Sequence, residues 1–103
     1  MSDFVDIGAA LDVPRLGARK VRTAGGVIAV FRTADDRFFA LDDRCPHKGG
    51  PLSEGIVHGE RVTCPLHNMV IELGSGEVVG PDEGCVARHL LKVESGRLLL
   101  ARA

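Results

Sequence analysis

Two short segments, Cys45-Pro46-His47 and Cys64-Pro65-Leu66-His67, constrain this chain more than anything else in it. Sixteen residues separate His47 from Cys64, so the pattern is C-x-H, a spacer, then C-x-x-H. Two thiols and two imidazoles make a complete four-ligand set for metal. A structural zinc site more commonly puts both thiols on one knuckle and both imidazoles on the other, or uses four thiols. One thiol and one imidazole on each of two matching loops suit a two-iron cluster whose irons differ. One iron then takes both thiolates and the other both imidazoles.

The rest of the chain reads as strands. Asp3 to Ile7 offers a short one, with Phe4, Val5 and Ile7 as candidate core residues, and Gly8 to Arg15 a loop with room for one helical turn. Ala18 to Arg22 and Val27 to Arg32 flank a turn at Ala24-Gly25-Gly26, and Arg37 to Leu41 returns after Ala34-Asp35-Asp36. Between the ligand segments, Ile56-Val57 and Arg61-Val62-Thr63 flank His58-Gly59-Glu60, a hairpin that folds the chain back so that the two ligand loops meet. Val70 to Leu73 and Glu77 to Val79 form the next pair, and Val86 to Val93 with Arg97 to Leu100 the last. No segment has the periodicity of an amphipathic helix of normal length, so the expected class is all-β.

Length and charge exclude several functions. A chain of 103 residues fits one domain over 1–103 and buries roughly two thirds of its unfolded surface. With 13 basic and 14 acidic residues, four Phe and no Trp or Tyr, it offers neither field nor stacking surface for nucleic acid. The longest apolar run, Val27 to Phe31, is far short of the ~20 residues of a membrane helix. The N-terminus is acidic where a secretory signal is basic. Two of three cysteines are candidate ligands, which leaves Cys85 without a partner and fits a reducing compartment. The expectation is a cytoplasmic protein.

Cys45-x-His47 and Cys64-x-x-His67, with prolines after both cysteines and glycines after the first histidine, resemble the Rieske [2Fe–2S] signature. The run from Cys45 to Gly55, then Cys64-Pro65-Leu66-His67-Asn68, Gly76-Glu77 and Gly80-Pro81-Asp82-Glu83-Gly84-Cys85-Val86, resemble the small subunit of assimilatory NAD(P)H-dependent nitrite reductase. The resemblance covers about Asp3 to Leu100. It implies stacked antiparallel sheets with a small cluster-binding subdomain inserted at about residues 42–81. It also implies one cluster held by Cys45, His47, Cys64 and His67, with the loop at Gly80–Gly84 covering it. The implied partner is a large subunit carrying FAD, a [4Fe–4S] cluster and sirohaem. Respiratory Rieske subunits add a disulfide between the ligand loops; Leu66 occupies one of those positions here.

Charge counting explains the ligand choice. Two ferric ions, two sulfides, two thiolates and two neutral imidazoles sum to zero, and one electron takes the centre to −1. A four-thiolate centre starts at −2, so adding the electron costs more. Mixed centres accordingly lie at about −150 to +300 mV and plant-type four-Cys centres near roughly −400 mV. High-potential family members carry Ser and Tyr two and four positions after the second ligand His. Met69 and Ile71 stand there and neither donates a hydrogen bond, so the expected potential is low.

By the same resemblance His47 and His67 form the electron exit, bordered by Lys48, Asn68 and Met69. His58 reads as an exposed turn residue, His89 as a packing residue sharing a face with Ala87, Leu91 and Val93, and Cys85 as a small buried thiol. Gly74-Ser75-Gly76 lacks the third glycine and the helix of a dinucleotide fingerprint, and no nucleophile–base pair is present, so the chain alone catalyses nothing. Two alternatives to the nitrite reductase subunit stand. One is a free Rieske ferredoxin passing electrons from a reductase to an oxygenase; the other is a zinc-loaded or apo structural subunit.

Overall fold

The computed structural model describes residues 3–46, 50–65, 68–80 and 84–101. These hold eleven strands, two single turns of 3-10 helix at Ala10–Asp12 and Leu52–Glu54, and no α-helix among the described residues. The strands are β1 (Phe4–Ala9), β2 (Gly17–Thr23), β3 (Gly26–Arg32), β4 (Phe38–Asp42), β5 (Ile56–His58), β6 (Arg61–Thr63), β7 (Val70–Glu72), β8 (Val78–Val79), β9 (Arg88–His89), β10 (Leu91–Glu94) and β11 (Arg97–Ala101). They form three sheets in the orders β1-β11-β10, β2-β3-β4-β9 and β5-β6-β7-β8. Every pairing is antiparallel.

The sheet β2-β3-β4-β9 lies in the middle, and β3 explains why. Its apolar run is buried on both faces, as a continuous rather than alternating pattern requires. Ala29 and Phe31 enter one core with Val57, Val62 and Ile71 of the third sheet. Ile28 and Val30 enter another with Leu98 and Leu100 of β11. Strand β4 divides the same way, Leu41 to the first core and Ala40 to the second. Successive side chains of a strand point to opposite faces, so one central hairpin carries both outer sheets.

Strand β1 runs two residues further than expected, through a bulge at Gly8, whose φ is 125° and whose N–H donates to Asp6 Oδ1 at 2.9 Å. Val5 is exposed rather than in the core. A larger difference concerns residues 86–93. They do not form one strand: Arg88–His89 pairs with β4, and Leu91–Glu94 pairs with β11. The chain changes sheets at Leu90, whose carbonyl accepts the Ala101 N–H at 2.9 Å, a corner of the kind that lets stacked sheets share a strand. His89 consequently turns its Nε2 to Asp42 Oδ1 at 2.7 Å.

The β3–β4 turn carries an ion-pair cluster. Arg32 is buried, and its Nη1 donates to Val13 O at 3.0 Å and its Nε to Asp36 Oδ1 at 2.8 Å. Asp36 sits at φ 61°, which Asp tolerates better than most residues, and also receives Arg15 Nη2. The Arg32 hydrogen bond, then that of Arg15, holds the Asp36 carboxyl below its ordinary value of 3.8. A carboxylate depressed on folding stabilises the native state above its unfolded value, and that contribution is lost as pH falls through the folded one. Asp36→Asn is expected to lower the thermal midpoint at neutral pH, with the gap from wild type closing as pH drops below about 3.8. Thermal melts from neutral to acid pH check this.

Candidate metal centre

Both candidate thiols are interior. Cys45 is 1% exposed and Cys64 0%, and both belong to the core between the middle and third sheets. Their loops are built alike. The Cys45 N–H donates to Gly50 O at 2.8 Å, and the Cys64 N–H donates to Met69 O at 2.7 Å. Each cysteine thus closes a loop on the carbonyl five residues ahead, with an exposed proline next to it. The two loops follow β4 and β6, and both thiols lie in the same core cluster. His47 and His67 lie outside the described residues, as do Lys48 and residues 81–83 of the expected covering loop.

Met69 joins the two loops. It is 7% exposed, and its Sδ lies 3.8 Å from Cys45 Sγ while its carbonyl takes the Cys64 N–H. The sequence places Met69 at the rim of a docking face; the structure corrects this. The reversal comes from Asn68, exposed at φ 53°, which flips the backbone so that residue 68 faces out and residue 69 in. Ile71 is fully buried. Buried apolar side chains therefore stand at both positions 69 and 71.

Cys85 is the second correction. It is exposed, not buried. An isolated bridge pairs it with Glu77, and strand alternation then sends Val86 into the core and Cys85 to solvent. A Cβ on Gly84, just before it, would meet Pro46 Cβ at 3.5 Å, so this segment closes against the first ligand loop. His58 is exposed as expected but belongs to β5, where its Nε2 meets Thr63 Oγ1 at 2.7 Å. Asp43, which sequence reasoning passed over, is a polar side chain two residues before Cys45. Its Oδ1 accepts the Ser53 N–H at 2.7 Å and its Oδ2 the Ser53 hydroxyl at 2.8 Å.

The donor set fits a sulfur-liganded iron centre. Two thiols in a buried core suit soft, thiolate-binding metal, and His47 and His67 follow them in sequence. The fold and its paired buried thiols define a small β protein built to carry a metal centre.

A family model described as Rieske [2Fe-2S] domain matches residues 3–90, and the chain belongs to that family. It is a Rieske electron-transfer protein, and its cofactor is a Rieske-type [2Fe–2S] cluster. The chain is 45% identical over 49 residues to a 4beta-methylsterol monooxygenase of Methylococcus capsulatus, a match to 48% of this chain and 13% of that one. It is 41% identical over 69 residues to a 3-phenylpropionate/cinnamic acid dioxygenase ferredoxin subunit of Photorhabdus laumondii, covering 66% of this chain and 64% of the other. The chain thus spans a small part of the first relative and just under two thirds of the second. A solved structure assigned as the small subunit of an NADPH nitrite reductase superposes with a TM-score of 0.84 at 25% identity, over 96% of this chain and 98% of that one.

Proposed function

We propose that Cys45, His47, Cys64 and His67 hold the cluster, within one domain over 1–103 whose cluster-binding part spans about 42–81. The chain then serves as the small subunit of a cytoplasmic NAD(P)H-dependent nitrite reductase, in the assimilation of nitrate. The observation that carries the reading is the pair of like loops, each placing a buried thiol and followed by a histidine. The contiguous third sheet over 56–79 supports the subdomain. Ile56-Val57-His58-Gly59-Glu60 and Asp82-Glu83-Gly84-Cys85-Val86, which resemble the nitrite reductase subunit, support the partner, as does the near end-to-end match to a small-subunit structure.

When bound, the cluster supplies one-electron storage. The chain's residues do the rest. Cys45 and Cys64 give thiolates from a core that excludes water, and Met69 fixes their spacing. Met69 and Ile71 offer no hydroxyl to stabilise added negative charge. The expected midpoint is therefore below about 0 mV, toward the negative end of the mixed-ligand range; redox titration reading well above zero would contradict it.

The partner is tested by adding the loaded chain to a nitrite reductase large subunit carrying FAD, sirohaem and [4Fe–4S]. The two are expected to co-elute and to support nitrite-dependent NAD(P)H oxidation. The likeness to a dioxygenase ferredoxin subunit favours a second reading, in which a ferredoxin reductase fills the chain with electrons and an oxygenase drains it. Rapid reoxidation by a Rieske oxygenase, with no binding to the large subunit, would decide for it.

A further inference from the structure

We propose that Asp43 is a positioning residue that clamps the first ligand loop and lowers the reduction potential of the centre, with Lys20 as its counter-charge. The inference rests on the ligand reading above. The Asp43 side chain is 3% exposed, and it stands two residues before Cys45. Its two oxygens take the N–H and the hydroxyl of Ser53, three residues beyond the Gly50 carbonyl that closes the loop. The carboxylate therefore ties the entry of the loop to its exit. Leu52, beside Ser53, is fully buried in the core that contains Cys45 and Cys64, so the clamp is anchored on the thiol side of the site.

The same geometry leaves a charge there. The Ser53 donors are neutral, and the cation paired with Asp43 among the described residues, Lys20 Nζ, lies 3.9 Å from its Oδ2, is 53% exposed, and is shared with Glu54 Oε2 at 3.7 Å. Solvent and Glu54 both draw on that cation, so it offsets the buried carboxylate only in part. A one-electron reduction adds one negative charge to the centre, and a negative group fixed in a poorly screened site opposes it. Asp43 thus joins two roles, holding Cys45 in register and biasing the centre toward its oxidised state.

The test is a mediated dithionite titration of the iron-loaded protein, with visible and EPR detection, on three variants. Asp43→Asn keeps the clamp, since its Oδ1 can accept the Ser53 N–H and its Nδ2 can donate to the Ser53 hydroxyl, yet it removes the charge. It is expected to raise the equilibrium constant for reduction by up to about tenfold, which for one electron is about 59 mV. Lys20→Met is expected to shift the constant the opposite way. Ser53→Ala, which loosens the clamp and keeps the charge, is expected to speed iron loss with a smaller change in potential. Shifts of opposite sign in Asp43→Asn and Lys20→Met support the proposal, because a structural role alone would not produce them. Unchanged potentials, or shifts of the same sign, with the cluster intact overturn it. If Asp43→Asn does not load, the Lys20→Met shift decides. A wild-type protein without a two-iron centre overturns the ligand reading itself, an outcome visible before any variant is made.

Discussion

Cys64→Ser is expected to leave a folded chain that loses its iron and its visible colour. The backbone at this position is fixed independently of the side chain, because the Cys64 N–H is held by Met69 O at 2.7 Å. Serine therefore stands in the same place but presents a hard oxygen that remains protonated where the thiol ionises. Loss of an outer partner of a metal ligand costs roughly 10–100-fold in affinity, and loss of the ligand itself is expected to exceed that. Iron per chain and the visible spectrum after desalting read the effect directly. Cys85→Ser is the control: its side chain is at the surface, and iron content is expected to stay at the wild-type value. Equal loss in both variants would mean that thiol removal acts on the chain generally, not on a ligand.

The largest expected loss of stability is at Gly76, a residue with no place among the ligands. Its φ is 78°, and a Cβ built there would overlap the Val86 carbonyl oxygen, a backbone atom that cannot rotate away. The close approach is mutual, since Val86 N–H donates to Gly76 O at 2.7 Å. Together these contacts fasten the segment after the expected covering loop onto the third sheet. Left-handed backbone strain and a steric clash each cost about 1–3 kcal/mol, so Gly76→Ala is expected to cost about 2–6 kcal/mol. At about 4–8 °C per kcal/mol for a domain of this size, the thermal midpoint should fall by at least about 8 °C. Gly25→Ala, in the β2–β3 turn with nothing nearer than Thr23 Oγ1 at 4.0 Å, is expected to stay within about 0.5 kcal/mol of wild type. Circular dichroism melts of the two variants compare them.

Much of the fold is readable because local signals and tertiary structure agree. The run Val27 to Phe31 announces a strand covered on both faces, and β3 is that strand. The turn residues Ala24-Gly25 and Gly59-Glu60 mark the hairpins where the structure has them. What escaped depends on long-range geometry. Nothing local tells residues 88–94 to divide between two sheets, because each half looks like strand and the division is imposed by β4 and β11 competing for them. Cys85 looks like a small hydrophobe, and only its bridge to Glu77 decides which face it takes. Met69 and Asp43 escaped for a related reason. Their roles come from loop closure, in which the carbonyls of residues 50 and 69 take the cysteine N–H groups and Asp43 takes both donors of Ser53, contacts that spacing alone does not display.

The ligand set is tested by the EPR spectrum of the anaerobically purified, dithionite-reduced protein, with iron and zinc assayed on the same sample. The oxidised protein is expected to be coloured and the reduced one to give a single-electron signal, with about two irons per chain, as mixed Cys and His ligation of a [2Fe–2S] centre requires. A colourless, EPR-silent protein holding one zinc would contradict it, and the paired loops of Cys45 and Cys64 would then belong to a structural metal site.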